Sequence, residues 1–476
     1  MEERTYRRRP RSNPSTMYLI LVALFLFLTF SLIIKGCSGI AASTPQNNGP
    51  ILSTNPLDNV LPTETRPADQ TYVVATASLG FTGDIMGHGP VLNSVVDENG
   101  NYDFSECFRY VAPLFKSYDM MVANLEVTMG GTEAGEYRGY PTFNCPDSII
   151  DALQDAGIDM VTTATNHSYD TGTQGFHRTQ EVLNQKNMLY IGTRPSEDAP
   201  KYIVKDVNGV KIGMACYTYE YEQAKSLQKK NLNGIEMSDE DAPLINSFNY
   251  RNIDAFYRDV EDVITDMRED GAQAIIFYMH WGNEYELTAS NTQKKMSQQL
   301  ANRGVDVIVG GHPHVVQPMA VLTAEDGRKT LCFYSTGNCV SNQRRYEINR
   351  SPNGHTEDGI IFSVKLSLWS DGTVSISDVA ATPLWVSLDT IEGDTSYTVM
   401  PVDITYKSMP AISRFADTVN GIIDPDRAPT AIEAFVPTDF DQISSSFNRT
   451  SQGILSSLND ARRALGLTPA TNTAGK

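Results

Sequence analysis

Basic residues are in short supply: 38 Lys and Arg face 57 Asp and Glu, a net charge of −19 over 476 residues. A surface that meets nucleic-acid phosphates needs the opposite sign, so nucleic acid is excluded as a partner. Cysteine is sparse too, with six residues and no Cys-x-x-Cys, which excludes a disulfide scaffold. Long apolar runs are absent but for one near the N-terminus, and no internal repeat is evident. With 41% hydrophobic and 20% charged residues, there is ample material for a large core, and disorder is excluded for most of the chain.

The single long apolar run, residues 17–34, carries no charge. As a helix it would be about 27 Å long, near the hydrocarbon thickness of a bilayer. Arg4, Arg7, Arg8, Arg9 and Arg11 precede it, so the first 35 residues are net +4 and the remainder is −23. The positive-inside rule then predicts a cytoplasmic tail (1–16), a single-pass plasma-membrane anchor (17–35) and an extracellular body. A cleaved signal ending among the small residues 39–43, and a lipid-modified Cys37, are the alternative readings. Pro45, Pro50, Pro56, Pro62 and Pro67 punctuate a polar stretch within 36–75, read as an extended spacer.

From residue 76 to 385 the pattern alternates strand and helix. Apolar runs at 77–81, 120–126, 160–165, 274–279 and 305–311 read as strands. Residues 147–156, 171–186, 253–267 and 291–303 read as helices, and Asn208-Gly209 reads as a hairpin turn. The fold class expected is an α/β sandwich with added hairpins. Residues 386–476 form a C-terminal extension, with a strand expected at 401–406 and a helix near 441–464.

Asp84, Glu126, Asn166, His280 and His312 each follow directly on a strand candidate. Ligand crevices of open α/β sheets lie at the carboxyl ends of strands, so these residues describe one polar site. Asp, Glu, Asn and imidazole form the ligand set of borderline divalent ions such as Mn, Zn or Fe, and a carboxylate can bridge two of them. His312-Pro313-His314 in a loop would supply one imidazole to each of two ions. Taken singly, each residue has a plainer reading: Asp84 as a helix cap, Glu126 as a solvated strand end, Asn166 as a turn. His177 and His355 read as surface residues. Cys216 and Cys332 read as small core hydrophobes; Cys107 with Cys145, or Cys332 with Cys339, are candidate disulfide pairs. Arg344, Arg345 and Arg350 form a cluster read as a carboxylate clamp for substrate, against the alternative of an ordinary solvated loop.

The segments FTGDIM (81–86), ANLE (123–126), ATNHSYDTG (164–172), MHWGNEYE (279–286), GGHPHVVQP (310–318) and FYSTGN (333–338) resemble, in that order, the CapA family of poly-γ-glutamate capsule proteins within the calcineurin-like metallophosphoesterases. The resemblance spans about residues 77–385 and implies an α-β-β-α sandwich. It implies Asp84 and His314 on one metal, Asn166, His280 and His312 on a second, and Glu126 bridging. It implies that His167 stabilises the transition state or protonates a leaving group, that Asp170 orients it, and that Trp281, Glu284 and Asn338 line the pocket. The phosphoesterase pattern has a histidine where Met86 stands, which leaves His88 as a substitute ligand. The implied function is a membrane-anchored protein of poly-γ-glutamate synthesis, transfer or export, as a metal-dependent hydrolase or transferase. The implied partners are the polyanionic polymer and the membrane synthetase subunits of a capsule complex. An extracellular phosphoesterase and a non-catalytic polymer-binding scaffold are the alternatives.

Overall fold

A computed structural model describes residues 71–221, 229–344, 348, 354–391, 394–401, 454 and 456–469. The expected anchor and residues 36–70 of the expected spacer lie outside these residues; residues 73–75, assigned to the spacer, instead open the first strand, Val73–Ile85. Among the described residues no helix is long and apolar enough to cross a membrane.

In chain order the strands begin with β1 (Val73–Ile85), β2 (Met120–Leu125), β3 (Met160–Thr162), β4 (Leu189–Ile191), β5 (Tyr202–Val207) and β6 (Val210–Tyr219). Short pieces follow: β7 (Asn231–Leu232), β8 (Ile235–Glu236) and β9 (Ser247–Phe248). Then come β10 (Ala274–His280), β11 (Val307–Gly311), β12 (Val316–Thr323), β13 (Lys329–Thr336) and β14 (Asn338–Val340), and finally β15 (Asp358–Trp369), β16 (Val374–Ile391) and β17 (Asp394–Pro401). The helices used below are α1 (Ser148–Ala156), α2 (Gly172–Gln185), α3 (Ile253–Glu269) and α4 (Asn291–Arg303).

Two sheets form. One runs β17-β16-β15-β1-β2-β3-β4 with β14 added beside β1; the other runs β12-β13-β11-β10-β6-β5 with β9 beside β6. Strands β1 to β4 are parallel, as are β6, β10, β11 and β13, while the hairpin strands at the edges run antiparallel. The central strands are buried on both faces, and their residues divide by period two. In β2, Met120 and Val122 enter the layer between the sheets, while Met121, Ala123 and Leu125 face the layer that holds Ile149 and Leu153 of α1. In β10, Ile276 and Tyr278 turn inward, while Ile275 and Phe277 meet Val260 of α3 and Leu300 of α4. The order is therefore helix, sheet, sheet, helix.

The same periodicity aims the polar residues. Asn124 continues the inward face of β2, and His280 that of β10. Strand β1 would break the pattern, because Asp84 is three residues beyond the inward Phe81. A register shift between Phe81 and Asp84 corrects it: Phe81 pairs with Val122, and Asp84 pairs with Asn124. One extra residue in β1 thus returns Asp84 to the inter-sheet face. Gly83 lies in that shift, where a Cβ would sit 1.9 Å from the Gly337 carbonyl oxygen, so only glycine lets β1 approach the 337 turn.

Several expectations change. Strand β3 stops at Thr162, so Asn166 and His167 sit in a loop and not at a strand end. The boundary expected after residue 385 falls inside β16, which pairs with β15 and β17 on either side of it. The strand expected at 401–406 is described only to Pro401, where β17 ends. Of the C-terminal helix, Ile454, Leu458 and Ala461 are buried in the inter-sheet core. The five described cysteines, Cys107, Cys145, Cys216, Cys332 and Cys339, are buried free thiols, so neither candidate pair is a disulfide.

Candidate metal centre

Asp84, Glu126, His280, His312 and His314 converge at the carboxyl ends of β1, β2, β10 and β11, all essentially buried. Two ligand sets emerge. Glu126, His280 and His312 place one donor atom each within 4.8 Å of one another, and so do Asp84, Glu126 and His314. Glu126 belongs to both. His312 (φ 93°) and His314 (φ 56°) adopt left-handed backbone conformations that cost of order 1–3 kcal/mol each. The strained turn is what lets two imidazoles two residues apart reach different sets.

Electrostatics divide the histidines. Burial opposes protonation of His314, but Glu126 and Asp84 outweigh it and raise its pKa to about 9. Its Nδ1 lies 3.0 Å from Asp84 Oδ2, and burial of Asp84 is in turn overcome by His314, so that its pKa is lowered. His312 is pushed well below the usual imidazole range by burial and by the neighbouring His280 and His314. One set therefore carries an ion pair and a removable proton, while His312 is already neutral.

Whether these residues fit a metal is tested by buried atoms that make no hydrogen bond. Glu126 Oε1 and His312 Nδ1 are buried and have no hydrogen bond. Leaving such atoms bare costs free energy that a divalent cation would recover. The donor set is right for a first-row ion, and among the described residues no cysteine joins either ligand set. Asn166 Oδ1 lies 2.7 Å from His280 Nε2, which places the Asn166 carbonyl beside the first set.

His167 and Asp170 form a pair, Nδ1 to Oδ2 at 2.7 Å. Asp170 Oδ2 also accepts from the Phe143 amide at 2.6 Å. Asn233 Nδ2 lies 2.9 Å from both Asp170 Oδ1 and the Pro141 carbonyl. Those two acceptors use both of its hydrogens, so its 3.2 Å approach to His167 Nδ1 is a contact and not a third bond. Nδ1–H of His167 then donates to Asp170, and Nε2 is the nitrogen left for chemistry. Asn233 was invisible in sequence because it sits in the turn between β7 and β8, two-residue strands without periodicity. Asn124 stands in the ANLE segment, two residues before Glu126. Its Nδ2 reaches Asp84 Oδ1 at 2.8 Å and Glu126 Oε2 at 3.3 Å, while its Oδ1 accepts from Thr162 at 2.7 Å, so it ties both carboxylates together.

The other expected site residues fall in different places. Asn338 reaches His314 Nδ1 with Oδ1 at 3.1 Å and holds the ring from behind. His88 is buried, its Nδ1 accepts from the Asn342 amide at 3.3 Å, and its pKa is lowered to about 3 by burial, His314 and His167; it belongs to neither ligand set. Glu284 lines an open cleft beside His312. Trp281 does not line it: the ring is fully buried and its N–H donates to the Tyr334 carbonyl at 3.0 Å. His355 is a buried residue paired with Asp358 at 2.8 Å, not a surface one. His177 is partly exposed and bonded to Asp241.

Arg344 is not available to the expected arginine clamp. Arg344 is 2% exposed, its Nη1 donates to the Val386 carbonyl at 2.8 Å, and its Nε lies 3.6 Å from Glu357. A guanidinium engaged in the interior cannot grip a polymer. Arg345 and Arg350 lie outside the described residues. Arg344→Ala should instead destabilise the fold by about 3–5 kcal/mol, because it strands a buried carboxylate. Urea unfolding of the variant checks this, and wild-type stability would contradict it.

An α/β sandwich with buried carboxylates and imidazoles gathered at strand ends of both sheets defines a protein with a candidate divalent-metal site. The chain belongs to the bacterial capsule synthesis protein PGA_cap family, whose profile matches residues 78–343. It is similar to the PGA biosynthesis protein CapA of Bacillus subtilis (strain 168), at 28% identity over 284 residues, covering 58% of this chain and 66% of that protein. It is also similar to the capsule biosynthesis protein CapA of Bacillus anthracis, at 24% over 270 residues, covering 56% and 60%. The chain thus spans just under two thirds of the length of these relatives. A purple acid phosphatase from yellow lupin overlays with a TM-score of 0.32 and 10% identity, covering 64% of this chain and 53% of that one, too loosely to assign anything.

Proposed function

We propose that this chain is a metal-dependent cell-surface protein of poly-γ-glutamate capsule assembly, acting on the polymer as a hydrolase or transferase. The observation that carries the reading is Glu126, shared by two buried ligand sets inside the segment that matches the capsule family. The relatives named for PGA and capsule biosynthesis support the polymer as substrate and membrane synthetase subunits as partners.

When bound, divalent ions would polarise the bond to be broken and lower the pKa of a water. Asp84, Glu126, His280, His312 and His314 would hold them, with Asn166 alongside. His167 would present Nε2 to the leaving group, with its tautomer fixed by Asp170 and Asp170 fixed by Asn233. Met86, buried at the phosphoesterase histidine position, removes a ligand from that pattern, which favours a chemistry other than ordinary phosphate-ester hydrolysis. The His167–Asp170 pair favours a catalytic protein over a scaffold.

The test is incubation of the full-length chain, loaded with Mn²⁺ or Zn²⁺, with poly-γ-glutamate and with a generic phosphodiester. Metal-dependent shortening or transfer of the polymer, lost in His167→Ala, is expected. Turnover of the phosphodiester alone would move the assignment to a phosphoesterase. Binding of polymer unaffected by His167→Ala would move it to a scaffold.

The uncharged span 17–34 behind five arginines supports an anchored protein with its body outside the cell. Protease added to intact cells should digest residues after 36, and full protection there would refute this topology.

A further inference from the structure

The cleft beside the metal centre has a character that the polymer's own charge does not explain. It encloses about 500 Å³ and is walled by Tyr219, Tyr221, Tyr250 and Tyr285, with Glu284 and with Glu220, whose carboxylate accepts from Ser247 at 2.9 Å and from Asn249 at 3.1 Å. No lysine or arginine lines it among the described residues. His312, itself in the first ligand set, forms the shared wall between cleft and centre; it is 4% exposed and its Nδ1 has no hydrogen-bond partner. The Tyr219 ring packs 4.8 Å from the ring of His312 and stacks at 6.3 Å over that of His280. A ligand in the cleft would therefore touch a ring that would also border a bound metal ion.

Two acidic groups with no cation among the described lining residues repel a carboxylate. Tyrosine faces carry negative quadrupoles that attract an ammonium group, and desolvation next to carboxylates strengthens the attraction. The cleft and the centre, which share His312, thus have opposite preferences: anions where a bound metal would sit, cations between the tyrosines.

We infer that the tyrosine cleft is a subsite for a primary ammonium group, and that it selects a ligand with a carboxylate on the metal side and an ammonium on the other. Resting on the capsule reading, that ligand is the amino-terminal residue of a γ-glutamyl chain, whose α-carboxylate and α-ammonium are adjacent. The site then engages chain ends and not chain interiors, because an interior residue has an amide where the ammonium would be.

The experiment uses the full-length metal-loaded protein in two arms. In the first, n-butylammonium and its neutral isostere n-pentane-sized alcohol, n-butanol, are titrated while tyrosine ring signals are followed by NMR. The ammonium should bind roughly tenfold tighter, and Glu220→Gln with Glu284→Gln should erase the difference. Equal binding of the two, or a preference that survives the double substitution, overturns the subsite. In the second, a γ-glutamyl trimer with a free amino terminus is compared by calorimetry with the same trimer N-acetylated. Acetylation should weaken binding by about tenfold in the wild type and have no effect in the double variant. A butylammonium preference with equal binding of the two trimers keeps the cation subsite and overturns its assignment to the polymer end. Failure of both trimers to bind, with the first arm positive, counts against the capsule reading alone.

Discussion

Glu126→Gln should weaken both ions, whereas His280→Ala and His314→Ala should each weaken one. The amide has the volume of the carboxylate but not its charge, so the effect reports ligation and not packing. Glu126 is the residue common to the sets Glu126–His280–His312 and Asp84–Glu126–His314, and its Oε1 accepts no hydrogen bond, lying 3.5 Å from His280 Nε2 and 3.9 Å from His314 Nε2. Loss of an outer-shell partner alone costs roughly 10–100-fold in metal affinity, so loss of the shared charge should cost about 100-fold or more at each position. Elemental analysis and competitive titration of wild type and the three variants decide it. If Glu126→Gln released one ion and held the other at wild-type affinity, the shared role would be wrong.

Much of this centre was legible because strand ends are legible. The runs before Asp84, Glu126, His280 and His312 are apolar enough to read as buried strands, and a polar residue directly after such a run has few places to go but the crevice. What stayed hidden depends on contacts across the chain. The bulge that aims Asp84 exists because Gly83 meets the 337 turn, 254 residues away in sequence. Asn233 reaches Asp170 from a turn between two-residue strands that no periodicity marks. Arg344 misled for the opposite reason: charge predicts exposure unless a partner is known, and Glu357 with the Val386 carbonyl supplies one only after β15 and β16 have paired. The resemblance placed Trp281 in the pocket; the structure turns its ring toward Tyr334, behind the strand that ends at Gly311.

Metal affinity should climb with pH because His314 must surrender a proton to ligate. In the metal-free protein its pKa is raised to about 9, since Glu126 and Asp84 outweigh the opposing effect of burial. Below that value the ring is an imidazolium that occupies the place of the cation's positive charge. Each ion entering the Asp84–Glu126–His314 set must therefore displace one proton, and apparent affinity should rise roughly tenfold per pH unit up to about 9, then level off. The sign is fixed: a raised pKa means that the proton is held more tightly, so acid competes and base does not. His312, held well below the ordinary imidazole range, has no proton to give up near neutrality and adds nothing to this slope. Calorimetric titration of Mn²⁺ in two buffers of different ionisation enthalpy at pH 7 should report about one proton released from the His314 set. His314→Ala should abolish that release together with the rise in affinity between pH 6 and 8. Affinity that stays flat between pH 6 and 8 would show that His314 is not protonated in the free protein, and that the ion pair with Asp84 is not what the metal replaces.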